Sequence, residues 1–88
     1  MRHTFNGVVY RVDLEPFLAA CDQPDRSDCP EIHFPNGIRN TKTSLILVVH
    51  ESIHASNWGL PEETVHRMGQ EIGSLLWKLG YRLKEDGK

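Results

Sequence analysis

The chain lacks several features that would point to whole classes of function. Its longest apolar run is the five residues Leu45, Ile46, Leu47, Val48 and Val49, far short of the roughly 20 that a membrane-spanning helix needs. The first residues, Met1 to Gly7, carry no apolar core of a secretory signal, so the expected setting is the cytoplasm, or the host cytoplasm if the protein is viral. There is no excess of positive charge: ten Lys and Arg stand against twelve Asp and Glu, a net charge of −2. A protein that holds nucleic-acid phosphates usually shows a basic balance or patch, so no nucleic-acid partner is expected. Two cysteines, Cys21 and Cys29, allow at most one disulfide. In a reducing compartment they read as free thiols. No segment repeats and none is of low complexity.

What is present is an ordinary globular composition in 88 residues, 39% hydrophobic and 25% charged. That is one domain, with residues 1–6 and 84–88 read as flexible tails. A domain of this size buries only about 60% of its unfolded surface, and such chains often carry a disulfide, a metal or a partner as reinforcement. The segment 7–13, rich in Val and Tyr, reads as a strand. Residues 14–20 read as a short helical turn with Pro16 near its start, and 21–30 as a loop. Alternation in Glu31-Ile32-His33-Phe34-Pro35 predicts a second strand, and its bounding prolines suggest a sheet edge. Asn36-Gly37 is a turn signal.

Two helices follow. Thr41, Thr43 or Ser44 can cap the first, and Leu45, Ile46, Val49 and Ile53 recur at helical spacing to about Ser56. Trp58-Gly59 then makes a turn. The second begins at Pro61 with Glu62 and Glu63 in its first turn, both suited to a helix N-terminus. Val65, Met68, Ile72, Leu75, Leu76 and Leu79 form its apolar stripe, and Gly80 suits a left-handed C-terminal stop. The expected fold is α+β: a short antiparallel sheet packed on two long helices.

The chemistry is concentrated in His50-Glu51-Ser52-Ile53-His54, an H-E-x-x-H pattern. Residues i and i+4 share one helix face about 5–6 Å apart, so two imidazoles converge on one Zn²⁺. Glu51, one residue along, is rotated away from the metal and toward its water, as a general base. A hydrolytic site needs a third protein ligand. The longer form H-E-x-x-H-x-x-G-x-x-H is absent, because Asn57 and Leu60 stand at its Gly and last His positions. The second helix offers Glu62, Glu63 and His66. At 100° per residue, Glu62 lies about 90° from the centre of the apolar stripe, His66 about 130°, and Glu63 nearly opposite. Glu62 is therefore the first candidate, with Glu63 and His66 as alternatives. On position alone, either Glu is explained by the helix dipole.

The segments H-E-S-I-H-A, L-P-E-E-T-V and E-I-G-S-L-L-W-K-L-G-Y-R resemble very short zincin-like metallopeptidases of phage and prokaryotes. These are similar to minimal gluzincins and, more distantly, to SprT-like domains. The resemblance covers about residues 31–83. It implies a zinc peptidase with His50, His54 and a Glu of the second helix as ligands, and Glu51 as base. The gluzincin pattern also places an acidic residue four after the ligand Glu. Here His66 follows Glu62 at that distance, and Arg67 follows Glu63. Among SprT-like relatives the implied variant is processing of DNA-bound proteins, against which the acidic balance argues.

Tyr81, Arg82, His66, Tyr10 and His33 are candidates for stabilising a tetrahedral intermediate, each also readable as structural. His33 and Tyr81 are the expected substrate contacts, and the 31–34 strand is the expected edge for adding an extended peptide. A thiolate of Cys21 or Cys29 would be a good inhibitory zinc ligand, although a free structural thiol is the plainer reading. Trp58 and Trp77 read as packing residues. Oligomeric state is left open. A reading from another class stands beside the enzyme: a metal-stapled or metal-free interaction module that works by contact with a partner protein.

Overall fold

A computed structural model describes residues 1–15, 19–23, 29–35 and 40–83. Four strands, β1 (Arg2–Phe5), β2 (Val8–Glu15), β3 (Ala20–Cys21) and β4 (Glu31–Pro35), precede two helices, α1 (Lys42–Ser56) and α2 (Glu62–Lys78). The strands form one sheet in the order β1-β2-β4-β3. The α+β class expected from the sequence is the class of the fold.

Several local expectations are corrected. Residues 2–5 are not a tail but β1, paired antiparallel to β2. The cause is Asn6-Gly7, whose φ values of 50° and 78° are the left-handed pair that a two-residue hairpin turn demands. The sheet is mixed rather than antiparallel, because β2 and β4 run parallel. Nor is β4 an edge. It lies between β2 and β3, with Ala20 opposite His33 and Cys21 opposite Ile32. Leu14 and Glu15 continue β2 instead of opening a helical turn, and Ala20–Cys21 is a strand. The remainder of that expected turn, the Asn36-Gly37 turn and the 84–88 tail lie outside the described residues.

The core forms between one face of the sheet and α1. Tyr10 and Ile32 are fully buried and meet Ala55, with Phe5, Val8, Val12, Cys21 and Phe34 packed around them. All the β2 and β4 members are even-numbered, as strand alternation requires. Odd-numbered Arg11, Asp13, Glu31 and His33 therefore occupy the opposite face. Helix α1 starts at Thr41, whose side chain accepts a hydrogen bond from the Ser44 amide at 3.0 Å, so the first of the three proposed caps is the one used. The Asn57 amide closes α1 on the Ile53 carbonyl, and Asn57 Oδ1 accepts from the Gly59 amide across the turn.

Helix α2 packs on α1 through residues without side chains. A Cβ added at Gly69 would lie 3.3 Å from His50 Cα, and one at Gly73 would lie 2.7 Å from Ile46 Cγ1. The buried line of α2 is Val65, Gly69 and Gly73, while Ile72, Leu75 and Leu79 are exposed. The apolar stripe read from the large side chains is thus displaced from the true contact line. Gly80, at φ 95°, stops the helix as expected. Among the described residues no helix is long and apolar enough to cross a membrane. Cys21 is a free thiol.

Candidate metal centre

The H-E-x-x-H residues lie on the C-terminal half of α1. His50 and His54 stack one helical turn apart, with ring centroids 4.9 Å from each other. Helix α2 begins where its first turn faces them. Glu62 Oε1 is 2.8 Å from His50 Nε2, and Glu62 Oε2 is 2.7 Å from His54 Nε2. One carboxylate thus bridges both imidazoles. The ligand atoms of His50, His54 and Glu62 all lie within 4.8 Å of one another. Both rings are largely buried, whereas Glu62 is 69% exposed, so the cluster opens to solvent on the α2 side.

The position of Glu62 follows from the glycine seam. Val65, Gly69 and Gly73 span about 80° of the α2 wheel, and Glu62 falls about 20° from the middle of that span. His66 falls about 60° away and Glu63 about 120° away. Both are exposed and neither joins the cluster, although the His66 ring lies 6.2 Å from that of His50. Trp58 leans on His54 at 5.6 Å between centroids, which helps hold the ring in place.

Glu51 points from α1 toward the sheet and is 7% exposed. Burial pushes its carboxyl above the usual carboxylate range; His50 opposes the shift and Glu62 adds to it. Sequence reasoning missed what lies behind it. Cys21 on β3 is close enough for the Glu51 charge to act on it, and burial first, then Glu51, push this thiol up to about 12. The Tyr10 hydroxyl is shielded from solvent beside Cys21 and rises to about 12, chiefly through burial. A thiol so raised is protonated at neutral pH. Cys29 is exposed, and neither sulfur is among the clustered ligand atoms. The sequence offered Tyr10 only as one of five candidates for stabilising an intermediate, and nothing in it placed Cys21 near Glu51.

The other expected contacts lie elsewhere. His33 is on the sheet face turned away from α1, because its neighbour Ile32 is in the core. Tyr81 and Arg82 follow the C-terminal end of α2, which is about 24 Å long from Glu62 to Lys78. Arg82 stacks its guanidinium 3.2 Å over the Trp77 ring and donates to the Trp77 and Tyr81 carbonyls. Tyr81, Arg82 and Trp77 instead line a groove of 680 Å³ between β1, α1 and the end of α2, which includes none of the clustered residues.

No family model, curated protein or solved structure matches the chain. The chemistry of the site therefore rests on its own geometry.

Proposed function

We propose that this protein is a zinc-dependent metallopeptidase of the H-E-x-x-H type, working in a reducing cytoplasm on a peptide or protein substrate. The observation that carries the reading is the bridging carboxylate. Glu62 gathers both imidazole Nε2 atoms from a separate helix, which yields a two-His, one-Glu donor set. Three protein ligands of these types with a position left open suit catalytic rather than structural zinc. Bound there, zinc supplies Lewis acidity and brings the pKa of water toward ~7.

His50 and His54 hold their Nε2 atoms toward the open side, and Glu62 completes the set. Glu51 sits next to His50, with its carboxyl raised above the usual carboxylate range by burial, which makes it a stronger base than an exposed carboxylate. It takes the proton of the attacking water and returns it to the leaving amine. The strand edge beside Glu51 is β3, not β4, so an extended substrate would pair along the outer side of Ala20–Cys21. Two residues of edge, with no second wall among the described residues, give a shallow site with weak side-chain selectivity. The short zincin-like proteins of phage and prokaryotes, which the motifs resemble, fit such a minimal enzyme.

The burial of Glu51 favours a rival reading, in which zinc only staples α1 to α2 and the domain acts by contact. Metal content and proteolysis of the untagged protein decide between them. Wild type should carry zinc at the helix pair and lose it in His54→Ala, while Glu51→Gln keeps it. Cleavage of an unfolded protein substrate should vanish in Glu51→Gln. Zinc lost in His54→Ala together with equal cleavage by wild type and Glu51→Gln would sink the peptidase and leave the staple.

A further inference from the structure

A second cluster of metal-ligating side chains lies on the far side of the sheet, away from α1. Parallel pairing sets Asp13 directly opposite His33, and Arg11 opposite Glu31. Alternation puts all four on the face that does not enter the core. The ligand atoms of Asp13, Glu31 and His33 lie within 4.8 Å of one another. The His33 side chain is 17% exposed, and its Nδ1 is shut off from solvent with no hydrogen-bond partner. A buried ring nitrogen left so is uncommon in folded proteins.

The carboxylate paired with it across the strands does not relieve it. Asp13 Oδ2 stands 3.5 Å from His33 Nδ1, beyond the normal range of an N–H···O bond. That separation matches another arrangement. Two ligands placed ~2.0–2.2 Å from one tetrahedral ion stand about 3.4 Å apart. Arg11 donates to Glu31 Oε2, the kind of outer hydrogen bond that fixes a ligating carboxylate.

We propose that Asp13, Glu31 and His33 form a second site for a divalent transition-metal ion of the zinc class. One imidazole nitrogen with two carboxylates favours such an ion over Mg²⁺ or Ca²⁺, which take oxygen alone. The site ties β2 to β4 across the parallel pairing that joins the two halves of the sheet. It is a structural staple, independent of the helix-borne cluster and of the peptidase reading.

The test is zinc stoichiometry of the untagged, chelator-stripped protein by titration at pH 7. Wild type, His33→Ala, Asp13→Asn and His54→Ala are compared, with circular dichroism confirming that each is folded. The expected result is two zinc ions in wild type and one in each variant. In His54→Ala, the remaining zinc should raise the melting temperature, since an ion at 100 times its Kd increases the folded-to-unfolded ratio about 100-fold. Adding Asp13→Asn to that chain should abolish the rise. A wild-type stoichiometry of one that His33→Ala and Asp13→Asn leave unchanged overturns the proposal. So does a stoichiometry of two that neither substitution lowers. A count that falls in His33→Ala and Asp13→Asn but not in His54→Ala supports this site and removes the helix-borne one. Asp13→Asn nearly preserves the side-chain volume, so a count that drops there cannot be laid to a collapsed core.

Discussion

Helices α1 and α2 pack against each other but are built on opposite plans. Helix α1 is covered on two sides: Ser44, Glu51 and Ala55 are buried, and Ile46 and His50 meet the glycines of α2. Its five-residue run Leu45 to Val49 is apolar all round the helix, which is what a helix covered on two sides requires. Helix α2 is covered on one side, and its tightest contacts are made by Gly69 and Gly73. Large side chains advertise burial, yet here Ile72, Leu75 and Leu79 stay exposed while bare backbone makes the seam. A wheel drawn from large apolar residues therefore misplaces the contact line. Drawn through the glycines, it aims Glu62 at the histidines.

The sharpest break of this comparison is chemical. Glu51→Gln on α1 should lower peptide cleavage by at least about 100-fold with metal retained. Next comes the seam. Gly73→Ala puts a methyl 2.9 Å from the Ile46 Cα, so backbone must move. Overpacking of about 1–3 kcal/mol outweighs the ~1 kcal/mol gained in helix propensity, and urea unfolding should show a net loss. Gly69→Ala, at 3.3 Å from His50, should leave stability nearly unchanged but weaken zinc binding by displacing that ligand. Removing the α1 cap with Thr41→Ala should cost about 1 kcal/mol. Changing exposed Leu75→Gln on the outer side of α2 should stay within about 0.5 kcal/mol.

A pH series separates the buried side of α1 from the open side of α2. The Glu51 carboxyl is raised from its ordinary 4.5, so the fold favours its protonated form. Below that ordinary value the group is protonated in both states and costs nothing. As pH rises through the raised value, the folded state bears the burden of an ionised buried carboxylate. Metal-free Glu51→Gln should therefore be more stable than metal-free wild type at pH 7, and the gap should close as pH falls toward 4.5. The same gap at all pH values would mean that Glu51 is not buried as an acid.

The parts of the molecule that depend on one element were legible in the sequence. An i, i+4 histidine pair, a Thr cap, a Pro-Glu-Glu helix start and a Gly stop each follow from local geometry. Parts that depend on register between elements were not. Asp13 and His33 are twenty residues apart and become neighbours only because β2 and β4 pair in parallel. Cys21 comes near Glu51 only because Ala20 and Cys21, at the start of a Pro- and Asp-rich stretch, add a strand. Pro30 and Pro35 suggested an edge, yet β4 accommodates them at its two ends, where Arg11 donates to the Pro30 carbonyl. One local signal was present and unused: Asn6-Gly7, divided between a tail ending at Asn6 and a strand starting at Gly7, is the hairpin turn that creates β1.

The two-residue length of β3 sets the breathing of the molecule. Among the described residues it joins the sheet through β4 alone, so its detachment breaks one short ladder and leaves β1, β2 and β4 joined. Segments with so few backbone bonds open far below the free energy of global unfolding. In hydrogen exchange the Asp22 amide, which donates to the Glu31 carbonyl, should lose its proton well before that of Ile32. The wall beside Glu51 is thus the first part of the sheet to part, and a protected acid in the resting fold is briefly wetted each time that edge swings away.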